Sequence, residues 1–175
     1  LHFGYGATEV VVAAPLDTLP LWRRANTFVA LFARDADTLV FATDPAVRSY
    51  RDLAYGRELR WWVTPDAQAP AAPAVELYDG ASASAAILSG AYQVVVSAGT
   101  TFDIFTIDID GRAADAPAVR SPALVTANSS ALPEVLGAVA LYACARPGCW
   151  WIDGVEPRLR VRVYADAGPV TVRIE

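Results

Sequence analysis

The sequence predicts an all-β fold: an antiparallel β-sandwich or barrel, with a single jelly roll favoured and one or two short helices. Three observations carry this expectation. About ten short apolar runs recur along the chain, each closed by Pro, Gly, Asp or Asn. Several of them alternate apolar and polar residues, and no stretch sustains a 3.6-residue period. With 175 residues, 54% of them hydrophobic, the chain can bury a substantial core as one domain spanning 1–175.

Residues 1–8 (LHFGYGAT) are rich in Gly and aromatics and predict an arm or edge segment. Glu9 to Ala14 predicts a strand. Residues 27–33 and 38–43 predict a hairpin around Arg34-Asp35-Ala36-Asp37 that is apolar on both faces, so it needs cover on both sides. Asp44-Pro45 starts a short helix over 45–55, ended near Gly56. Glu58 to Thr64 alternates, with Leu59, Trp61 and Val63 inward and Arg60 and Trp62 outward. Residues 65–73 form a Pro/Ala loop and 74–78 a short strand. The Ser/Ala-rich stretch 79–90 predicts a loop with a helical turn.

Residues 91–97 and 101–110 predict a hairpin turning at Ala98-Gly99-Thr100. An irregular crossing follows to Pro122, and residues 129–138 fit either helix or strand, with the helical reading favoured and Ser130 placed to cap a brief turn. The run 139–153 predicts a hairpin about Ala145-Arg146-Pro147-Gly148, with Cys144 opposite Cys149 and Tyr142 opposite Trp151. Directly opposed Cβ atoms lie about 4.5–5.5 Å apart, which suits a disulfide. The last pair, 158–165 and 170–175, turns at Asp166-Ala167-Gly168-Pro169. Its register sets Val161 with Ile174, Val163 with Val172, and Arg162 opposite Arg173.

Net charge is −5 with no basic block, which argues against a nucleic-acid wrapper. No apolar run approaches the ~18 residues of a membrane span. All 14 basic residues are Arg, and Lys and Met are absent. Few thermolabile residues and many prolines fit a thermophilic source, and a GC-rich genome would give much the same bias. Two cysteines flanking a turn point to an oxidising setting: a virion, an extracellular or cell-surface location, or a hyperthermophile interior. The sole His, His2, sits by the terminus, which argues against a Ser-His-Asp or Cys-His centre. Neither a zinc ligand set nor a Walker or dinucleotide motif is present.

Three groups of residues could carry chemistry. Asp103, Asp108 and Asp110 in TFDIFTIDIDG offer hard oxygen ligands for Ca²⁺, although EF-hand spacing fails; otherwise they are a solvated strand face. The same acids are the one route to a small hydrolase. Arg158, Arg160 and Arg162 form an outward stripe which, with Arg173, suits an acidic partner or phosphate; otherwise Glu156 and Glu175 neutralise it. Trp62, Trp151 and Tyr142 make an outward aromatic platform, as glycan-binding surfaces and protein interfaces both use, unless a loop such as 65–73 covers it.

The first functional expectation is a non-enzymatic assembly protein, a coat or capsid-like jelly-roll subunit that associates with itself or a related coat subunit. No cofactor is needed for that role. The alternative is a secreted carbohydrate-binding module that uses Trp62, Trp151 and Tyr142.

Overall fold

The computed structural model describes residues 2–5, 8–11, 27–32, 45–48, 52–53, 56–66, 71–111, 117–155 and 157–175. Two sheets face each other as a sandwich. One contains β3 (Val29–Phe32), β4 (Glu58–Val63), β8 (Ile104–Asp110), β11 (Gly148–Asp153) and β12 (Arg158–Tyr164), ordered β11-β12-β8-β4-β3. The other contains β5 (Ala71–Glu76), β6 (Ser82–Leu88), β7 (Ala91–Ser97), β9 (Val125–Ala127), β10 (Ser130–Ala131) and β13 (Val170–Ile174), ordered β10-β9-β13-β7-β6-β5. Among the described residues the paired strands are antiparallel except β4 with β8, and an isolated parallel bridge joins Glu134 to Trp150. The sheets do not close into a barrel. A separate two-stranded sheet pairs β1 (His2–Tyr5) with β2 (Thr8–Val11), where the sequence predicts an arm and then a strand.

Alternation builds the core. Leu59, Trp61 and Val63 of β4, Phe105, Ile107 and Ile109 of β8, and Leu159, Val161 and Val163 of β12 are buried from one sheet. Val94 and Val96 of β7, Ala83 and Ala85 of β6, and Val170, Val172 and Ile174 of β13 meet them from the other. Each large side chain removed from water contributes about 1.5–3 kcal/mol. Phe28 meets Trp61 edge to face, with centroids 6.0 Å apart and planes at 84°.

The strands at 58–63, 91–97, 104–110, 158–164 and 170–174 lie where alternation places them, but two expected hairpins are arches. β7 and β8 belong to opposite sheets, and so do β12 and β13. Val161 and Ile174 therefore share the core without being strand neighbours, and Arg162 lies opposite Thr106 and Cys149 rather than Arg173. The arches stack, since β8 pairs with β12 and β7 with β13, and Ala165 N–H donates to the Asp103 carbonyl at 2.8 Å. Buried Asp79 fastens the first arch by accepting from the backbone N–H groups of Ala81, Thr101 and Phe102 at 3.0, 3.2 and 3.1 Å. A Cβ on Gly99 would stand 2.4 Å from its carboxylate, so that position needs Gly.

Three further expectations change. The stretch 79–90 contains strand β6, in which Ala83 and Ala85 are buried, as is Ala81 just before it, while Ser82 and Ser84 are half-buried. Ser130 begins β10 instead of capping a helical turn, after a tight turn at Asn128-Ser129. The hairpin at 139–153 is half helix: α2 (Gly137–Ala143) packs on β11 through buried Leu141. Ala-rich GAVALYA has high helix propensity, and an apolar run this short fits either element. The disulfide Cys144–Cys149 is present with Cα atoms 6.3 Å apart, because it depends on the four-residue loop rather than on a strand before it. A brief helix, α1 (Pro117–Arg120), interrupts the crossing before β9. Within 45–55 only residues 45–48 and 52–53 are described, with a turn at Pro45-Ala46 and 3-10 geometry at Asp52; the rest of that expected helix and the strand at 38–43 lie outside the described residues.

Gly148 opens β11 with φ 138°, and a Cβ there would lie 2.0 Å from the Arg162 carbonyl oxygen. Gly148→Ala should therefore cost at least about 3 kcal/mol in urea unfolding. An Ala variant as stable as the parent would mean that β11 and β12 are not this close.

Candidate functional site

The outward face of the five-stranded sheet combines two of the predicted groups in one layer. β12 lies between β11 and β8, so its arginines stand among the outward residues of both strands. Arg158 covers the Trp62 ring at 5.1 Å, Arg160 covers Trp151 at 5.1 Å, and Arg162 lies 5.7 Å from the Tyr142 centroid and 5.6 Å from Tyr164. The rings are half-buried, and one face of each carries a guanidinium. They do not form the bare platform that alternation alone implies. Tyr142 reaches the layer from α2, not from a strand paired with β11.

Carboxylates hold the layer together. Arg162 is buried and donates from Nη1 and Nη2 to Glu58 at 2.9 and 2.7 Å. Burial alone would lower its pKa, but the bonds to Glu58 and Tyr164 outweigh that and raise it. Tyr164 Oη in turn donates to the Cys144 carbonyl at 2.6 Å, which ties the disulfide loop to the layer. Arg160 stands 3.5 Å from Asp153.

Asp108 is placed differently. It is only 1% exposed, its nearest guanidinium nitrogens on Arg158 and Arg160 are 3.6 Å away, and neither carboxylate oxygen has a hydrogen-bond partner. Burial raises its pKa, and Arg160, Arg158 and Arg60 only partly offset this.

The three predicted metal ligands do not converge. Asp103 lies at the other end of β8, where it accepts from Arg57 Nε at 3.0 Å, while Asp108 faces arginines. Among the described residues no group of three or more His, Cys, Asp or Glu could hold a metal ion. Arg173 is on the opposite sheet, paired with Glu175, and lines an open hollow of about 460 Å³ with Gln93, Thr126, Asn128, Ser129 and Thr171. Sequence reasoning missed Glu58, Thr106 and Tyr164 in the layer, and every hollow residue but Arg173. The available signal was outward position on a strand, which marks a face but not its neighbours across the sheet.

No family model and no curated protein matches this chain. Among solved structures, the GH31 dextranase of Flavobacterium johnsoniae, bound to isomaltotriose, superposes with TM-score 0.65 at 13% identity. The match covers 96% of this chain and 21% of the dextranase. The cycloalternan-forming enzyme of Listeria monocytogenes, bound to a pentasaccharide substrate, matches with TM-score 0.53 at 14% identity over 67% of this chain and 10% of its own. The α-1,4-glucan lyase of Gracilariopsis lemaneiformis matches with TM-score 0.50 at 14% identity over 67% and 13%. At these identities the likeness establishes the fold. The chain spans between a tenth and about a fifth of the length of these carbohydrate-active enzymes. They give no support to a coat subunit, a virion or a thermophilic source.

Two substitutions separate the carboxylates. Glu58→Gln leaves Arg162 buried without a counter-charge and should cost about 3–5 kcal/mol. An aspartate with a raised folded pKa favours the folded state only while protonated. That contribution is full below the unfolded value near ~3.9 and lost as pH rises through the raised folded value. The stability of Asp108→Asn relative to the parent should therefore improve as pH rises from 3 to 7. Equal losses in both variants at pH 7, followed by urea unfolding, would contradict this distinction.

Proposed function

We propose that this chain is a non-catalytic β-sandwich module of a carbohydrate-active protein, and that it holds a glycan rather than cleaving one. The carrying observation is the dextranase match, in which nearly the whole of this chain corresponds to about a fifth of a larger enzyme. The chemistry is consistent with that role. Glycoside cleavage uses two carboxyl groups about 5–9.5 Å apart, flanking the scissile bond in a cleft. Here Asp108 is enclosed among arginines and Asp103 is ion-paired with Arg57. The disulfide fits an extracellular setting.

The coat-subunit expectation rests on the apolar content, the hairpin apolar on both faces, the missing catalytic inventory and the Arg stripe; residues 33–43 of that hairpin lie outside the described residues. The described exposed large hydrophobics are Phe32, Tyr78, Leu88, Leu124, Leu136, Val139 and Val155, spread over several strand ends, turns and α2. Among the described residues, both outer sheet faces carry polar or charged side chains.

Native electrophoresis in gels containing dextran or glycogen tests the proposal. The purified chain should be retarded relative to a glycan-free gel and should release no reducing ends from either polymer. Unretarded migration on both glycans, or steady release of reducing ends, would contradict it.

A further inference from the structure

We infer that the glycan site is the polar hollow on the six-stranded sheet, continued around its edge, and that its ligand is a neutral polyhydroxylated chain. This rests on the glycan-holding proposal and assigns it to specific residues. Gln93 of β7, Arg173 of β13 and Thr126 of β9 stand in register across three adjacent strands, presenting amide, guanidinium and hydroxyl groups in one row. Strand spacing separates such groups by about 4.8 Å, so successive hydroxyls of an extended sugar chain can be met in turn.

Asn128 links this hollow to a second one of about 270 Å³, which is also lined by Ser130, Arg146, Pro147 and Tyr164. Asn128 Oδ1 accepts from Thr171 N–H at 2.9 Å, and Asn128 N–H donates to the Thr171 carbonyl at 2.9 Å. The side-chain NH₂ of Asn128 is left for a ligand. The two hollows share Asn128, and the second reaches Arg146 and Pro147 of the disulfide loop.

Charge selects the ligand class. Arg173 is paired with Glu175 and Arg146 with Asp166, so both cations are neutralised in place. They retain donors without a net positive field, which disfavours phosphate or an acidic polymer relative to hydroxyls. The remaining lining of the larger hollow is amide and hydroxyl, whereas the smaller one adds the apolar side chains of Ala127, Pro147, Ala167 and Val170, which can meet the carbon face of a sugar ring.

The turn between β9 and β10 gives independent support. Asn128 and Ser129 have φ of 47° and 68°, as the two central residues of a type I′ turn require. Gly is the unstrained residue at the second position, yet Ser stands there and lines the hollow. A strained serine is accounted for if its hydroxyl is used.

Calorimetric titration and gel retardation with dextran test the site. Arg173→Ala and Gln93→Ala should each weaken binding about tenfold. Ser129→Gly should weaken it severalfold while leaving the melting temperature unchanged or higher, which separates a binding role from a folding role. Trp151→Phe should bind as the parent does. Full binding by Arg173→Ala and Ser129→Gly, with loss in Trp151→Phe, would overturn the site and leave the glycan-holding proposal standing. Retention that is stronger on heparin and abolished by about 0.5 M NaCl would overturn the neutral-ligand assignment. A parent chain that binds no glycan overturns both.

Discussion

The interaction on which the five-stranded sheet depends most is the Glu58–Arg162 pair. The two residues lie on β4 and β12, which are not neighbours; β8 runs between them, with buried Thr106 opposite Arg162. The pair therefore clamps three strands, including the parallel β4–β8 seam. Bidentate geometry lets it offset the desolvation of two buried charges, which looser contacts seldom do. Asp108, one turn of the pleat away, shows the contrast: more arginines surround it, yet none is within hydrogen-bond distance. Stacking of the arginines on Trp62, Trp151, Tyr142 and Tyr164 shields the layer, so a face rich in charge is still largely excluded from water.

Strand positions were legible because one face of each strand is core and period two survives in the sequence. Pairing was not. A hairpin and an arch both join two alternating strands through a short polar turn, and both bring the same inward residues together. In a hairpin they are side by side on one sheet, and in an arch they meet across the core. Nothing in Ala98-Gly99-Thr100 or Asp166-Ala167-Gly168-Pro169 distinguishes the two. β6 was missed because Ala and Ser have weak strand preference, although its burial still alternates. The disulfide was found for a reason that tolerated the wrong secondary structure: a loop of four residues keeps Cys144 and Cys149 close whether helix or strand precedes it.

The functional surfaces divide along the same line. The sequence put Arg158, Arg160 and Arg162 outward, and also Trp62 and Trp151, but as separate candidates. Only the strand order joins them, and joining them changes their meaning, since a ring covered by a guanidinium has one face fewer for a sugar. Gln93, Thr126 and Thr171 belong to three strands separated by 78 positions at the extremes, and no local motif could unite them. The sequence leaves 129–138 open between helix and strand, and the positive φ of Ser129 belongs to a tight hairpin turn that neither reading marks.

The two outer faces of the sandwich thus differ. One is closed by ion pairs and stacking; the other is open and polar around Gln93, Thr126 and Arg173, and is the face we propose for a glycan. An NMR titration of the labelled chain with a soluble glucan oligosaccharide tests this division most directly. The amide signals of Gln93, Thr126, Asn128, Ser129 and Thr171 should move while the indole N–H signals of Trp62 and Trp151 stay fixed. Movement of the two indoles with silence across the hollow would contradict the account.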